Sequence, residues 1–205
     1  MSPGARVLPV GFRLGPETVP QPVVGTVRLG WKRLGLGLDE ALVWDLAHGV
    51  PGDDPLAGAE RLLAHAAAAG VADPSAVVEG LLARSLLVRV PPTGQDPATL
   101  EALAHRLRAR PLLVGIGSGS APGTTALGVP GWPVLELPDV AANRWDDTAV
   151  LADLWAAAEF SLVREDGPDA PPPTHDRLLA AVAVVVDDLP LLLAHHCAYL
   201  DLARP

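Results

Sequence analysis

The sequence predicts a helix-rich α+β fold. Apolar residues recur at helical spacing in several segments, and short extended runs bounded by Gly and Pro separate those segments. Hydrophobic residues occupy 49% of the 205 positions, which excludes a generally disordered chain. Most of these residues are Ala, Leu and Val, so we expect helices that pack through small side chains. A chain of this length forms one large domain or two small ones.

Two extended segments are expected before residue 30. They are Arg6–Leu14 and Val23–Leu29, and turn-forming Gly and Pro residues separate them. Their β-branched residues favour strands, arranged as a hairpin. At Leu38 the hydrophobic period becomes helical, which marks the start of a different kind of structure.

Three helices and a strand are predicted next. The first helix begins at Leu38, and the second covers Pro55–Ala69. The third begins at Asp73-Pro74, because Asp is a favoured N-cap and Pro suits the first helical position. The extended run Leu86–Val90 and a turn at residues 91–94 follow.

This order of elements resembles the winged-helix superfamily over roughly residues 38–92. The passage from the third helix into the strand, "LLARSLLVRV" in residues 81–90, carries the resemblance most clearly. Many winged helices have Gly where this chain has Ser85. The resemblance implies an architecture rather than a function. It divides the chain into a winged-helix-like domain at 1–94, which includes the N-terminal strands, and an α/β-to-helical domain at 95–205.

The second half is expected to combine a small sheet with helices. A helix begins at Asp96-Pro97 and continues to Arg110, and Leu112–Leu137 forms a small antiparallel sheet. Helical spacing returns at Val150–Ala158, and Thr174 caps the last helix. That helix is apolar on nearly every side, so it is either central in the core or part of a subunit interface. A homodimer through Leu178–Leu200 is therefore one expected partner arrangement.

The composition narrows the cell compartment and the binding partners. The net charge is −9, which disfavours nonspecific binding to nucleic acid or to anionic membranes. The longest apolar run, Leu178–Val186, is far shorter than the roughly 20 residues that span a bilayer. A single cysteine, Cys197, excludes an internal disulfide framework. We expect a cytoplasmic protein without a membrane partner, and its preference for Arg over Lys is typical of GC-rich bacterial genomes.

Two motifs are candidates for a cofactor, metal or catalytic site. The glycine-rich stretch Gly115–Gly123 follows a strand, but Pro122 and another extended run follow it, whereas a dinucleotide fingerprint turns directly into a helix. The pattern predicts a helix through His195-His196-Cys197, where adjacent side chains point about 100° apart and do not converge on one metal. No catalytic residue, cofactor or metal site is therefore predicted.

A small-ligand pocket beside the glycine-rich loop remains an alternative. Its candidate residues are Gly117, Ser118, Trp132 and Trp145. The simpler interpretation is that both tryptophans fill the seam between the sheet and the helices, because large aromatic residues are mostly buried.

Basic residues near the winged-helix-like segment form the main candidate contact surface. Trp31-Lys32-Arg33 is the densest group, and the simpler alternative is a solvated strand end with Trp31 packed on the core. The third helix offers Arg84 but also Glu79, and it has no Asn, Gln or Lys for reading base edges. The candidate contact residues for protein, peptide or nucleic acid are Arg28, Trp31, Lys32, Arg33, Arg84 and Arg89.

These observations favour a non-enzymatic adaptor or regulatory protein that binds a protein or peptide. In one variant, residues 5–90 resemble the small winged-helix-like domains that hold a leader peptide along a strand edge. The first alternative is a winged-helix transcription regulator that binds DNA and carries a C-terminal dimerisation or ligand-binding domain. The second is an enzyme or small-ligand binder that uses the Gly115–Gly123 loop.

Overall fold

The helix-rich α+β prediction is confirmed. A computed structural model describes residues 4–15, 24–50, 52, 54 and 58–203. These residues form seven helices and ten strands. The helices are α1 (Leu38–Leu46), α2 (Ala59–Ala68), α3 (Pro74–Ala83), α4 (Pro97–Arg106), α5 (Asp139–Val150), α6 (Leu154–Asp166) and α7 (His175–Ala194). The strands are β1 (Arg6–Pro9), β2 (Phe12–Gly15), β3 (Gly25–Leu29), β4 (Lys32–Leu36), β5 (Leu87–Val90), β6 (Leu107–Pro111), β7 (Val114–Ser118), β8 (Thr124–Val129), β9 (Trp132–Pro138) and β10 (Ala198–Leu202).

The strands form four small antiparallel sheets. Strand β1 pairs with β5, and β6 pairs with β10. The other two sheets are three-stranded meanders, β2-β3-β4 and β7-β8-β9. After β5 the chain enters α4, so the strand that follows the third helix has its partner at the N-terminus.

The predicted strand Arg6–Leu14 is wrong as a single element. It is two strands, β1 and β2, which belong to different sheets and are separated at Gly11. Gly11 has φ +109°, and a Cβ there would lie 2.8 Å from the carbonyl oxygen of Arg28. Only glycine fits this conformation and this close approach, so the break is built into the sequence. Val23 and Pro55, two predicted element ends, lie outside the described residues.

Three of the predicted helix starts are confirmed by their caps. The Asp73 carboxylate accepts a hydrogen bond from the N–H of Ala76 at 3.0 Å, and Asp96 accepts one from Thr99 at the same distance. The Thr174 hydroxyl accepts from the N–H of Arg177. Each cap satisfies one of the donors that a helix leaves without an intrahelical partner.

The predicted end of the fourth helix at Arg110 is wrong. Helix α4 ends at Arg106, and residues 107–111 form β6. Leu107 and Ala109 are buried, alternating with Arg108 and Arg110, and the strand pairs with β10 about 90 residues later in the chain. This long-range pairing overrides the helical propensity of the segment.

The small C-terminal sheet and its packing on helices are confirmed. Sheet β7-β8-β9 packs on α5 through a buried cluster that also takes residues from the end of α7 and from β10. Its central members include Leu127, Leu137 and Trp145, together with Leu192. Trp145 is 3% exposed and fills this seam as predicted, whereas Trp132 is 75% exposed and does not.

Helix α7 lies at the centre of the largest core cluster. The apolar sequence of this helix allowed either a central place in the core or a subunit interface. The structure buries the helix centrally, with Val182, Leu189 and Leu193 inside the chain. The same cluster contains Leu8 and Val88 from the first half of the sequence, so one core joins the segments before and after residue 94. The helix is continuous through Pro190.

His195, His196 and Cys197 do not lie on a helix, which corrects the sequence prediction. Helix α7 ends at Ala194, and His196 takes a left-handed conformation with φ +52° in the turn that leads to β10. Cys197 is fully buried, and this burial raises the pKa of its thiol to about 11. The thiolate is the reactive form of cysteine, so burial keeps this side chain in its less reactive thiol form.

His48 gives the fold a defined pH dependence. Its ring is buried against Trp44, and its Nδ1 lies 3.1 Å from the Trp44 carbonyl oxygen. Burial, with a smaller contribution from nearby His196, lowers the pKa of His48 to about 4. The neutral ring is therefore favoured by folding, and its full contribution is present above about pH 6.5, the ordinary histidine pKa.

We predict that the native state loses about 2–3 kcal/mol through His48 between pH 7 and pH 4.5. His48→Phe should remove this part of the pH dependence, since it cannot take up a proton. Urea unfolding at several pH values measures the effect. Equal pH slopes in the wild type and in the variant would contradict the assignment.

Candidate binding groove

The β3–β4 hairpin is fixed at its tip to another part of the chain. Its two-residue turn is Gly30-Trp31, and Gly30 has φ +58°, which favours glycine. The Gly30 N–H donates a 2.7 Å hydrogen bond to Oδ1 of Asp201 on β10. This contact places the basic residues of the hairpin beside the β6–β10 sheet.

A groove of about 540 Å³ lies between this hairpin tip, the end of α3 and the β6–β10 pair. Its size is within the roughly 300–1,000 Å³ typical of ligand clefts. The apolar part of its lining comes from Leu29, Leu34 and Leu202. Four cationic residues and one exposed tryptophan also line the groove. They are Arg28, Trp31, Lys32, Arg84 and Arg108.

Two of the four cations are held by partners within the chain. Arg28 donates a 2.9 Å hydrogen bond to the Tyr199 hydroxyl, and its guanidinium lies within 6 Å of the Phe12 and Tyr199 ring centroids. Arg84 donates 2.7 Å hydrogen bonds to Oε1 of Glu40 and to the carbonyl oxygen of Gly35. These contacts fix both guanidinium groups at the groove.

Arg108 is much less satisfied. Its side chain is 12% exposed, and its nearest anion is Oδ2 of Asp201, 3.6 Å from Nη2. That separation is longer than a hydrogen bond. Its Nε–H is buried without a partner among the residues that the structure describes. Oδ1 of Asp201 already accepts from the N–H groups of Gly30 and Leu202.

The tip of the hairpin is open to solvent. Trp31 is 88% exposed, so the expectation that it packs on the core is wrong. The reason is its place in a two-residue turn, where the chain reverses beyond the edge of the core. The ammonium group of Lys32 lies 5.6 Å from the Trp31 ring centroid. This exposed pair forms one side of the groove entrance.

The groove brings together four of the six candidate contact residues, Arg28, Trp31, Lys32 and Arg84. Arg33 is exposed on β4 of the same hairpin but is not among the groove residues. Arg89 lies on β5 and forms an ion pair with Glu79 of α3. The sequence therefore identified most of the basic residues, but it did not show which of them line the groove.

Sequence reasoning missed Arg108, Asp201 and Leu202. The apolar spacing of the preceding helix extends the predicted helix over Leu107–Arg110, but the apolar and basic residues of this segment alternate with period two. That alternation is the signal that could have placed Arg108 on a strand, on the opposite face from two buried residues. The pairing with Asp201 depends on a contact across the fold and has no local signal.

The four residues predicted to form a pocket at the glycine-rich loop do not come together in this fold, although the loop itself lines a cleft of about 590 Å³. Ser118 lines a shallow cleft together with Asp139 and Asn143, while Trp145 is buried elsewhere and Trp132 is at the β8–β9 turn. Gly117 lies at a bulge in β7 with φ +122°. Within the loop, Glu136 accepts hydrogen bonds from the N–H and hydroxyl of Ser120, and these bonds lower the pKa of Glu136.

Neither a metal-ligand group nor a membrane-spanning helix is found in the described part of the chain. Residues 4–15, 24–50, 52, 54 and 58–203 contain no group of three or more His, Cys, Asp or Glu side chains arranged to hold a metal ion. No helix among these residues has both the length and the apolar character needed to cross a membrane.

Comparison of the chain with known protein families, with characterised proteins and with solved structures gives no match.

We predict that Asp201→Ala lowers the free energy of unfolding by about 3–5 kcal/mol. Asp201 is 1% exposed, and removing one partner of a buried ion pair leaves the other charge uncompensated. Adding Arg108→Met to this variant should recover part of the loss. Urea unfolding measures both effects, and amide hydrogen exchange at Gly30 should accelerate.

Asp166→Ala is the matched control, because Asp166 forms an ion pair with Arg177 on the surface. Its cost should be below about 1 kcal/mol. Equal losses for the Asp201 and Asp166 variants would contradict the structural role assigned to Asp201.

Proposed function

We propose that this chain is a binding protein whose groove captures an extended, acidic segment of another polypeptide. The observation that carries the proposal is the convergence of Arg28, Lys32 and Arg84 with exposed Trp31 on one partly apolar groove. These residues come from the hairpin and from the end of α3, so the fold concentrates them at one place. Such a chain would serve as an adaptor or regulator of the protein that carries the segment.

The charge distribution supports an acidic ligand of limited size. The whole chain has a net charge of −9, yet four cationic side chains line this groove. Arg84 and Arg108 face the carboxylates of Glu40 and Asp201, so Arg28 and Lys32 supply the excess positive charge. A local positive potential attracts an anionic group that enters the groove, while the remaining acidic surface repels extended polyanions. A protein that binds nucleic acid through many phosphates normally has a broad basic face.

The contacts of the third helix favour a polypeptide over DNA. Arg84 is hydrogen bonded to Glu40 and to the Gly35 carbonyl, and exposed Glu79 forms an ion pair with Arg89. A helix that reads the major groove needs Arg, Lys, Asn or Gln side chains that are available to the bases. The exposed side of α3 offers none of these in an available state.

The remaining features of the groove suit an extended peptide with mixed side chains. Leu29, Leu34 and Leu202 would contact apolar residues of the segment, and Trp31 adds a large aromatic surface at the entrance. Strand β4 has β3 as its neighbour on one side and ends its sheet on the other. A bound segment that ran beside β4 would gain main-chain hydrogen bonds.

The proposal is tested with fluorescently labelled peptides of 12 residues. One peptide carries Glu at alternate positions with Leu and Ser between them, and two matched peptides carry Gln or Lys instead of Glu. Fluorescence anisotropy should show binding of the Glu peptide, weaker binding of the Gln peptide and no binding of the Lys peptide. A 20-base-pair duplex that binds more tightly than the Glu peptide at physiological salt would overturn the proposal in favour of a DNA-binding protein.

We predict that Trp31→Ala weakens binding of the Glu peptide about 30-fold. This corresponds to the roughly 2 kcal/mol that an aromatic anchor contributes at a binding site. Trp132→Ala is a matched control, because Trp132 is also exposed and also follows a glycine at a hairpin turn, but on another sheet. An equal effect of the two substitutions would contradict the assignment of the groove.

A further inference from the structure

Arg108 is the one groove cation that is both largely buried and poorly paired. Its Nε–H has no partner in the described part of the chain, and its only anionic neighbour is 3.6 Å away. Burying this Nε–H without an acceptor is unfavourable. Arg28 and Arg84 in the same groove donate hydrogen bonds of 2.7–2.9 Å.

Asp201 holds Arg108 in place without saturating it. Oδ1 of Asp201 accepts two backbone N–H groups, which leaves Oδ2 as the oxygen that faces Arg108. The ion pair therefore orients the guanidinium, but its hydrogen-bonding capacity remains unused. This is the arrangement expected of a receptor for a second carboxylate, because Arg and carboxylate groups form short bidentate pairs.

We infer that Arg108 is the subsite for the side-chain carboxylate of a Glu or Asp residue in the bound segment. The inference rests on the proposed function. It adds which group of the ligand is recognised, a carboxylate, and which residue of the groove receives it, Arg108. The incoming carboxylate takes hydrogen bonds from the Arg108 guanidinium, while Lys32 at the entrance supplies a second positive charge. Arg28 and Arg84 contribute charge, and each already donates hydrogen bonds within the chain, Arg28 to Tyr199 and Arg84 to Glu40 and Gly35.

The first test compares Arg108 with an arginine outside the groove by substitution. Arg108→Lys keeps the positive charge beside Asp201 but loses the planar fork that matches a carboxylate. It should weaken binding of the Glu peptide 10- to 100-fold, as expected for loss of hydrogen bonds to a charged group. It should leave the Gln peptide within threefold of the wild type. Arg144→Lys is the matched control, because Arg144 is also largely buried and paired with a carboxylate, that of Asp188, but lies outside the groove, and it should change either affinity less than threefold.

Each result of this test has a defined meaning. If Arg108→Lys leaves Glu-peptide binding unchanged while Trp31→Ala still weakens it, the Arg108 subsite is overturned and the proposed function stands. All peptides in this test carry blocked ends, so none of them has a terminal carboxylate. If a Gln peptide with an unblocked C-terminus binds as tightly as the Glu peptide, the carboxylate comes from a chain end, and the assignment to a side chain is overturned.

The second test does not depend on any peptide. Sodium acetate is titrated into the ¹⁵N-labelled chain, and the guanidinium Nε–H signals are followed by NMR, with Arg108→Lys identifying the Arg108 signal. The Arg108 signal should shift saturably and the Arg84 signal should not. If no peptide binds but this shift occurs, the proposed function fails and the anion-binding property of Arg108 stands. Equal shifts at both arginines, or none at Arg108, overturn the subsite.

Discussion

The buried carboxylate of Asp201 connects the elements that form the groove. It joins the tip of the β3–β4 hairpin to β10 through Gly30, and it is the nearest anion to Arg108 on β6. A charge in this position is stable only when donors surround it. Two backbone N–H groups donate to it and the Arg108 guanidinium lies 3.6 Å away, so the same carboxylate fixes the hairpin and orients a cation.

The position of Asp201 depends in turn on the central helix. Strand β10 begins four residues after α7 ends, and the left-handed residue His196 and buried Cys197 make the turn between them. Helix α7 is held on several sides by the largest core cluster, which draws residues from both halves of the sequence. The groove is therefore built on the rigid centre of the fold, while its tip, with exposed Trp31, extends into solvent.

Local chemistry made much of the fold predictable from the sequence. The caps Asp73, Asp96 and Thr174 and the apolar spacing of the helices gave the correct starts, because these signals lie within a few residues of their effects. Strand β6 was not predicted, since its pairing partner is far away in the chain. The break at Gly11 was missed for the same reason, because the close contact with Arg28 exists only after folding.

The candidate site was predictable in composition but not in arrangement. Clustering in the sequence identified Trp31 and Lys32, and the end of a helix identified Arg84. Which cations are engaged and which are unsatisfied depends on Tyr199, Glu40 and Asp201, which come from distant parts of the chain.

The contrast between the acidic chain and its basic groove has a consequence for the selectivity of the proposed binding. At physiological salt, charge interactions decay over about 8 Å, so the net charge of −9 and the groove act on different parts of an approaching anion. In the proposed complex, a long polyanion would be repelled along most of its length, whereas a short acidic segment would be attracted where a carboxylate enters the groove.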